Sequence, residues 1–262
     1  RDLVRSRGLG DVYKRQKIMF QEAINNYLQS HGYNTINLKA VLFDMDGVLF
    51  NSMPNHAESW HKVMLRFGFG LSRDEAYMHE GRTGASTINI VSRRERGHDA
   101  TEEEIKAIYQ AKTEEFNKCP MAERMPGAYE VLTKIKEEGL IPMVVTGSGQ
   151  TSLLDRLNHN FPGIFKKELM VTAFDVKYGK PNPEPYLMAL KKAHLQPNEA
   201  LVIENAPLGV QAGVAAGIFT IAVNTGPLPD QVLWDEGANL LFPSMPAFNE
   251  NWEILKRELK NK

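Results

Sequence analysis

Ala40, Val41, Leu42 and Phe43 make a short unbroken apolar run. We read it as a strand buried on both faces, broken at Gly47. Ahead of it, Phe20, Ile24, Tyr27 and Leu28 recur at helical spacing and predict a short amphipathic helix against the outside of the core. Beyond a polar linker at 50–55, helical periodicity takes over, with candidate helices at 56–67, 73–79, 86–96 and 102–116. Two of these starts carry the capping-box pattern, Ser72-x-x-Glu75 and Thr101-x-x-Glu104. Pro54 on one side and Pro120 with Pro126 on the other suit hinges, so this helical block reads as an insert.

From Pro126 the pattern changes to alternating helix and strand. Helices are predicted at 127–138, 151–158, 183–194 and 208–216, and strands at 141–145, 169–171, 200–203 and 218–223. Weaker elements follow near 239–242 and 249–259. Such alternation implies a parallel sheet with crossover helices. Asn182 suits a helix N-cap, with Pro183 in the first turn.

Composition narrows this picture without redirecting it. The chain of 262 residues is 42% hydrophobic and 24% charged, ordinary usage for a globular core. A net charge of −1 and the absence of a broad basic stripe argue against nucleic acid as a partner. No apolar run approaches the ~20 residues that span a bilayer. One cysteine, Cys119, excludes an internal disulfide framework and points to a reducing, cytoplasmic setting. Residues 1–17 carry six basic and two acidic residues, and without them the net charge would be −5. That segment has no apolar core of a signal peptide, so 1–18 is expected to be a non-native or disordered tail, with Met19 as the natural start.

The candidate chemistry lies at strand ends. Asp44 and Asp46, two apart in extended chain, project to one side at the carboxyl end of the first strand, where open α/β sheets bind ligands. Two close carboxylates need an offsetting charge, and a hard divalent cation such as Mg²⁺ supplies one. A calcium loop does not fit, because the glycine arrives at the fourth place, and Val48 and Asn55 occupy the fifth and twelfth. Thr146-Gly147-Ser148-Gly149 follows the second strand and lacks a full dinucleotide fingerprint. Lys180-Pro181-Asn182-Pro183 precedes a helix, and Glu204-Asn205 follows a further strand. Read singly, Lys180 is a loop lysine and Thr146 opens an ordinary turn.

Together, in this order, these four signals resemble the haloacid dehalogenase superfamily, in its phosphatase and β-phosphoglucomutase-like branch. The resemblance runs from Lys39 to the C-terminus. It implies an α/β fold, a Rossmann-like parallel-sheet core at 19–52 and 121–262 with an inserted four-helix cap at 53–120. It further implies that Asp44 is a nucleophile forming an aspartyl-phosphate and Asp46 the general acid and base. Thr146, Gly147 and Ser148 would hold the phosphoryl oxygens and Lys180 would neutralise them. Asp44, Asp46, Glu204 and Asn205 would bind Mg²⁺, with Asn205 standing where the branch usually has aspartate. In the cap, His56 agrees with the mutase branch, whereas Thr83 and Thr87 stand where a lysine and a phosphate-gripping arginine are expected. Arg82 and Lys112 are the nearest substitute cations. The expected activity is Mg²⁺-dependent hydrolysis of a small phosphorylated metabolite, a sugar phosphate, by a monomer. The alternatives are a β-phosphoglucomutase and a non-catalytic phosphate binder.

Overall fold

The computed structural model describes residues 2–148 and 153–260. Helix α1, Asp2–His31, leads into strand β1, Ala40–Phe43. Four helices follow: α2, Met53–Arg66; α3, Arg73–Met78; α4, Gly84–Arg96; and α5, Glu102–Asn117. The chain then alternates through α6 (Ala128–Glu137), β2 (Ile141–Val144), α7 (Leu153–Asn160), α8 (Glu184–Ala193) and β3 (Ala200–Glu204). It ends with α9 (Pro207–Ala215), β4 (Phe219–Val223), α10 (Asp230–Asp235), β5 (Leu240–Phe242) and α11 (Met245–Lys260).

The five strands form one parallel sheet in the order β2-β1-β3-β4-β5. Every residue of β1, β3 and β4 is buried, as expected when helices cover both faces. On one face Val41, Phe43 and Ile203 pack with Ile24 of α1, Val131 of α6, Leu157 of α7 and Trp252 of α11. On the other, Leu42, Met143 and Val202 meet Tyr186 of α8 and Ala212 of α9. Helices α2 to α5 hold their own core of Val63, Met64, Phe69, Ile88, Val91 and Ile108, which makes them a separate four-helix cap.

The differences from the sequence reading have local causes. Helix α1 is far longer than the short helix predicted and takes in the segment expected as a tail, although Phe20, Ile24, Tyr27 and Leu28 are its buried face. The strand predicted at 169–171 is a 3-10 turn, Lys167–Leu169, followed by one bridging residue. Val171 donates to Val144 O and accepts from Thr146 N, and no second residue continues the ladder. Helix α2 begins at Met53, because Pro54 suits a first turn where its missing N–H is no loss. The capping box at Thr101 is complete. At Ser72 only half exists: Glu75 N donates to Ser72 Oγ, but the Glu75 carboxylate is drawn to Arg94 instead. Helix α10 has too few periodic residues to be visible in the pattern. The helix start predicted at Thr151, like Gly149, lies outside the described residues.

Candidate active site

Strand register assembles the site. Phe43 of β1 is level with Val144 of β2 and Ile203 of β3, so the next residues, Asp44, Val145 and Glu204, emerge in one row. The row lies beside β1, where strand order reverses and open sheets form their crevice. Asp44 N donates to Ile203 O at 3.0 Å and Val145 N to Phe43 O at 2.8 Å, which ties all three strand ends together.

Into this row Lys180 reaches from the segment before α8. Its ammonium donates to Asp44 Oδ1, to Glu204 Oε1 at 2.5 Å and to Val145 O at 3.2 Å. Tyr186 of α8 donates its hydroxyl to the same Glu204 oxygen at 2.7 Å. The other Glu204 oxygen accepts from Asn205 N at 3.0 Å and Ala206 N at 3.3 Å. Glu204 is thus already met by four donors and serves here as the counter-charge of Lys180. Burial pushes Asp44 up to about 7, with Glu204 and Asp46 adding to the rise and Lys180 opposing it.

Asp46 faces a different set. Ser52 Oγ donates to its Oδ1 at 2.5 Å, and His56 Nε2 lies 3.6 Å from the same oxygen. Burial would raise this carboxyl, but His56, Ser52 and Arg156 outweigh burial and hold it low. Beyond His56, Lys112 Nζ lies 2.8 Å from Nδ1, and the imidazole stacks on Phe116 with centroids 4.1 Å apart.

The cap closes over the row. Glu80, just after α3, accepts from Asn205 Nδ2 at 3.2 and 3.0 Å. Burial, then Asp44, Glu204 and Asp46, hold the Glu80 carboxyl well above the usual carboxylate range. Asn205 Oδ1 is buried and has no partner among the described residues. Gly47, at φ +82, makes this approach possible: a Cβ there would stand 2.1 Å from Asn205 Nδ2.

Thr146 is buried and its Oγ1 accepts from Ser148 N at 3.1 Å, which curls the loop after β2. A Cβ at Gly147 would enter open space. Asp44, Asp46, Lys180, Glu204 and Asn205 therefore gather at one crevice, with Thr146 opening the loop that follows the neighbouring strand end. His56 and Lys112 continue the Asp46 side into the cap. Thr83 is used otherwise, since it caps α4 and accepts from Ser86 N at 3.2 Å. Arg82 leaves its Nε buried without a partner among the described residues. Glu80 and Tyr186 escaped the sequence reading. A lone glutamate in a cap loop carries no spacing signal, and a tyrosine among apolar helix positions reads as core.

No three His, Cys, Asp or Glu side chains are grouped as a metal cage among the described residues. The carboxyl groups of Asp44, Asp46 and Glu80 and the unpartnered Asn205 amide oxygen are nevertheless oxygen donors, the type Mg²⁺ takes.

Comparison with known proteins follows the same lines. The sequence profile of the haloacid dehalogenase-like hydrolases matches residues 41–223. Hexitol phosphatase A of Escherichia coli (strain K12) is 33% identical over 187 residues, covering 71% of this chain and 83% of that protein. The phosphorylated carbohydrates phosphatase of Thermotoga maritima is 29% identical over 220 residues, covering 83% of this chain and all of the other. A solved Bacteroides vulgatus structure, named "putative beta-phosphoglucomutase", superposes with a TM-score of 0.91 at 85% identity, over 93% of this chain and 99% of that one.

Proposed function

The chain belongs to the haloacid dehalogenase-like hydrolases, and we propose that it is a Mg²⁺-dependent phosphatase of small phosphorylated metabolites, sugar phosphates in particular. Residues 53–120 would be its cap, and 19–52 with 121–262 its core. The observation that carries this reading is the placement of one ammonium, that of Lys180, on the nucleophile candidate Asp44 while the second acid, Asp46, stands apart on Ser52 and His56. Two acids in unlike environments suit unlike roles.

In the first half-reaction Asp44 attacks phosphorus in line, and the bond from phosphorus to the leaving oxygen breaks as Asp46 delivers a proton to that oxygen. Lys180, already on Asp44, is positioned to meet the phosphoryl oxygens and spread their charge. Water then attacks the phosphorus of the aspartyl-phosphate, Asp46 takes its proton, and the bond from phosphorus to Asp44 breaks to return the carboxylate and release phosphate. His56 and Ser52 favour the ionised Asp46 that this step uses, so the proton Asp46 delivers to the leaving oxygen is the one it took from water in the preceding turnover. Asp44, Asp46, Asn205 and Glu80 would hold the Mg²⁺, which when bound supplies Lewis-acid polarisation of the phosphoryl group. The cap contact through Glu80 supports exclusion of bulk water from the crevice.

The test is phosphate release from a panel of triose to hexose phosphates with Mg²⁺, wild type against Asp44→Asn. A fall of about a thousandfold or more in kcat is expected for the variant. Equal turnover by both proteins would end the reading. A β-phosphoglucomutase is the second reading, favoured by the 85% identity with the Bacteroides vulgatus protein. Incubation with β-glucose 1-phosphate and a trace of the 1,6-bisphosphate separates the two. Free phosphate supports the hydrolase, and accumulating glucose 6-phosphate the mutase.

A further inference from the structure

Two donors meet on one buried carboxylate oxygen beside Asp44. Glu204 Oε1 accepts from the Lys180 ammonium at 2.5 Å and from the Tyr186 hydroxyl at 2.7 Å, and all three residues are buried. The Tyr186 ring also faces the ammonium, its centre 5.2 Å from Nζ. Pro181, Pro183 and Pro185 stand between the two residues, and the fixed φ at each leaves little freedom between ammonium and ring. Tyr186 belongs to the apolar cluster of Leu42, Met143, Val202 and Ala189. A phenylalanine ring has the same shape, so packing explains the ring of Tyr186 and not its hydroxyl.

What the hydroxyl changes is the strength with which Glu204 holds Lys180. An ammonium has three N–H groups, and Asp44 Oδ1, Glu204 Oε1 and Val145 O take all of them. To meet a phosphoryl oxygen, Lys180 must loosen one of these bonds. Glu204 cannot follow a moving ammonium, because Asn205 N and Ala206 N hold its other oxygen and Gly209 closes on its carboxyl group. An oxygen that accepts two donors holds each less tightly than it would hold one, and burial magnifies the difference.

We propose that Tyr186 is a positioning residue for phosphoryl transfer: its hydroxyl takes up part of the Glu204 charge and so frees Lys180 to pass from Glu204 toward the phosphoryl oxygens as the transition state forms. This rests on the phosphatase reading above and deepens it. Without the hydroxyl, Glu204 draws the ammonium to itself. The transition state then loses more than the bound substrate does, because a donor aimed at developing charge is worth most where that charge develops.

The test compares wild type with Tyr186→Phe in the presence of Mg²⁺, on the best substrate of the sugar phosphate panel, with orthovanadate as a five-coordinate mimic of the transition state. The variant should lose about tenfold in kcat, keep KM within about twofold of wild type, and bind orthovanadate more weakly by about the same tenfold. KM and the orthovanadate inhibition constant report on active molecules alone. A variant that merely folds less well therefore lowers apparent kcat and leaves both constants at their wild-type values, and that result overturns the proposal. An unchanged kcat overturns it as well. If Tyr186→Phe does not fold, a ring-fluorinated tyrosine placed at position 186 keeps the ring and the hydroxyl and makes the phenol a stronger donor. Its kcat should rise and its orthovanadate constant fall, and wild-type values for both overturn the proposal. Either negative result, with wild type still releasing phosphate, removes this inference and leaves the phosphatase reading intact. Absence of phosphate release by wild type from every substrate removes that reading and the inference with it.

Discussion

Lys112 shows how burying a single charged residue works against stability. Burial brings its ammonium down to about 8, with Asp46 and Cys119 opposing the fall. Because the folded value lies below the unfolded one, charging Lys112 works against the fold. That penalty is full below about pH 8 and relieved as pH rises toward the ordinary 10.5. The gap corresponds to about 3 kcal/mol as an upper figure. Lys112→Met should therefore raise the thermal midpoint at pH 7, and the advantage over wild type should shrink as pH rises from 8 to 10. Thermal unfolding across that range checks it, and an advantage that is absent or independent of pH would show that Lys112 carries no such strain. Such a cost is what functional residues commonly impose. At this scale the sequence was informative where chemistry left a spacing. Asp44 and Asp46 are two apart, and Lys180 sits in a proline-marked turn. Arg156 and Glu80 had no such mark, since each acts only through neighbours distant in the chain.

Among the elements, α9 is the one most tightly matched to the site. It starts right after Asn205, and Gly209 faces the Glu204 carboxyl group so closely that a Cβ would lie 1.9 Å from Oε1 and 2.0 Å from Cδ. Glu204 cannot retreat, because Lys180, Tyr186 and two backbone amides hold it. Gly209→Ala should destabilise by about 1–3 kcal/mol, the usual range for overpacking. It should also displace Glu204 and with it Lys180, so that kcat falls more than stability alone explains. Denaturant unfolding and steady-state rates test both parts, and a variant with wild-type stability and rate would show that Glu204 yields freely. Thr101→Ala offers a contrast on α5, where the complete capping box lies on the outside of the cap. It should cost about 1 kcal/mol, with kcat preserved, as measured by the same two methods. Among the small residues of α9, Gly213 lets the helix close onto the sheet, since a Cβ there would lie 2.6 Å from Thr220 Oγ1 and 3.0 Å from Val202 Cγ1. The sequence could not show that one of them packs against the counter-charge of Lys180, since that pairing joins Glu204 to a residue 24 positions away in the chain. Element types were legible wherever periodicity ran long enough. The strand predicted at 169–171 shrank to the single bridging residue Val171, and α10 was missed because six helical residues give period counting too little to work on.

At the scale of the whole molecule, cap and core meet at the position where the chain departs from its superfamily. By the family resemblance an aspartate is expected at position 205, so Asn205 leaves the expected set one negative charge short. The fold shows a carboxylate, Glu80, carried to Asn205 by the cap and hydrogen-bonded to its amide nitrogen. Gly81 follows directly, its position for a Cβ 3.2 Å from the Lys180 side chain, and Tyr77 packs against Gly226 of the core. The amide thus does two things an aspartate could not: it donates to Glu80, and it avoids adding another charge to a buried acidic cluster. In Asn205→Asp the amide donor is lost and two carboxyl groups confront each other at about hydrogen-bond distance, adding a second acid beside a Glu80 that burial and its neighbours already disfavour as an anion. Without divalent cation, the variant should therefore hold its cap further from its core, seen as a larger radius of gyration in solution scattering with EDTA than wild type gives. Added Mg²⁺ should reverse this, and the concentration for half-maximal activity should fall severalfold because the oxygen set gains a full charge. An unchanged radius with EDTA would mean that the Glu80 contact does not govern cap position. An unchanged or higher Mg²⁺ requirement would mean that position 205 does not face the metal.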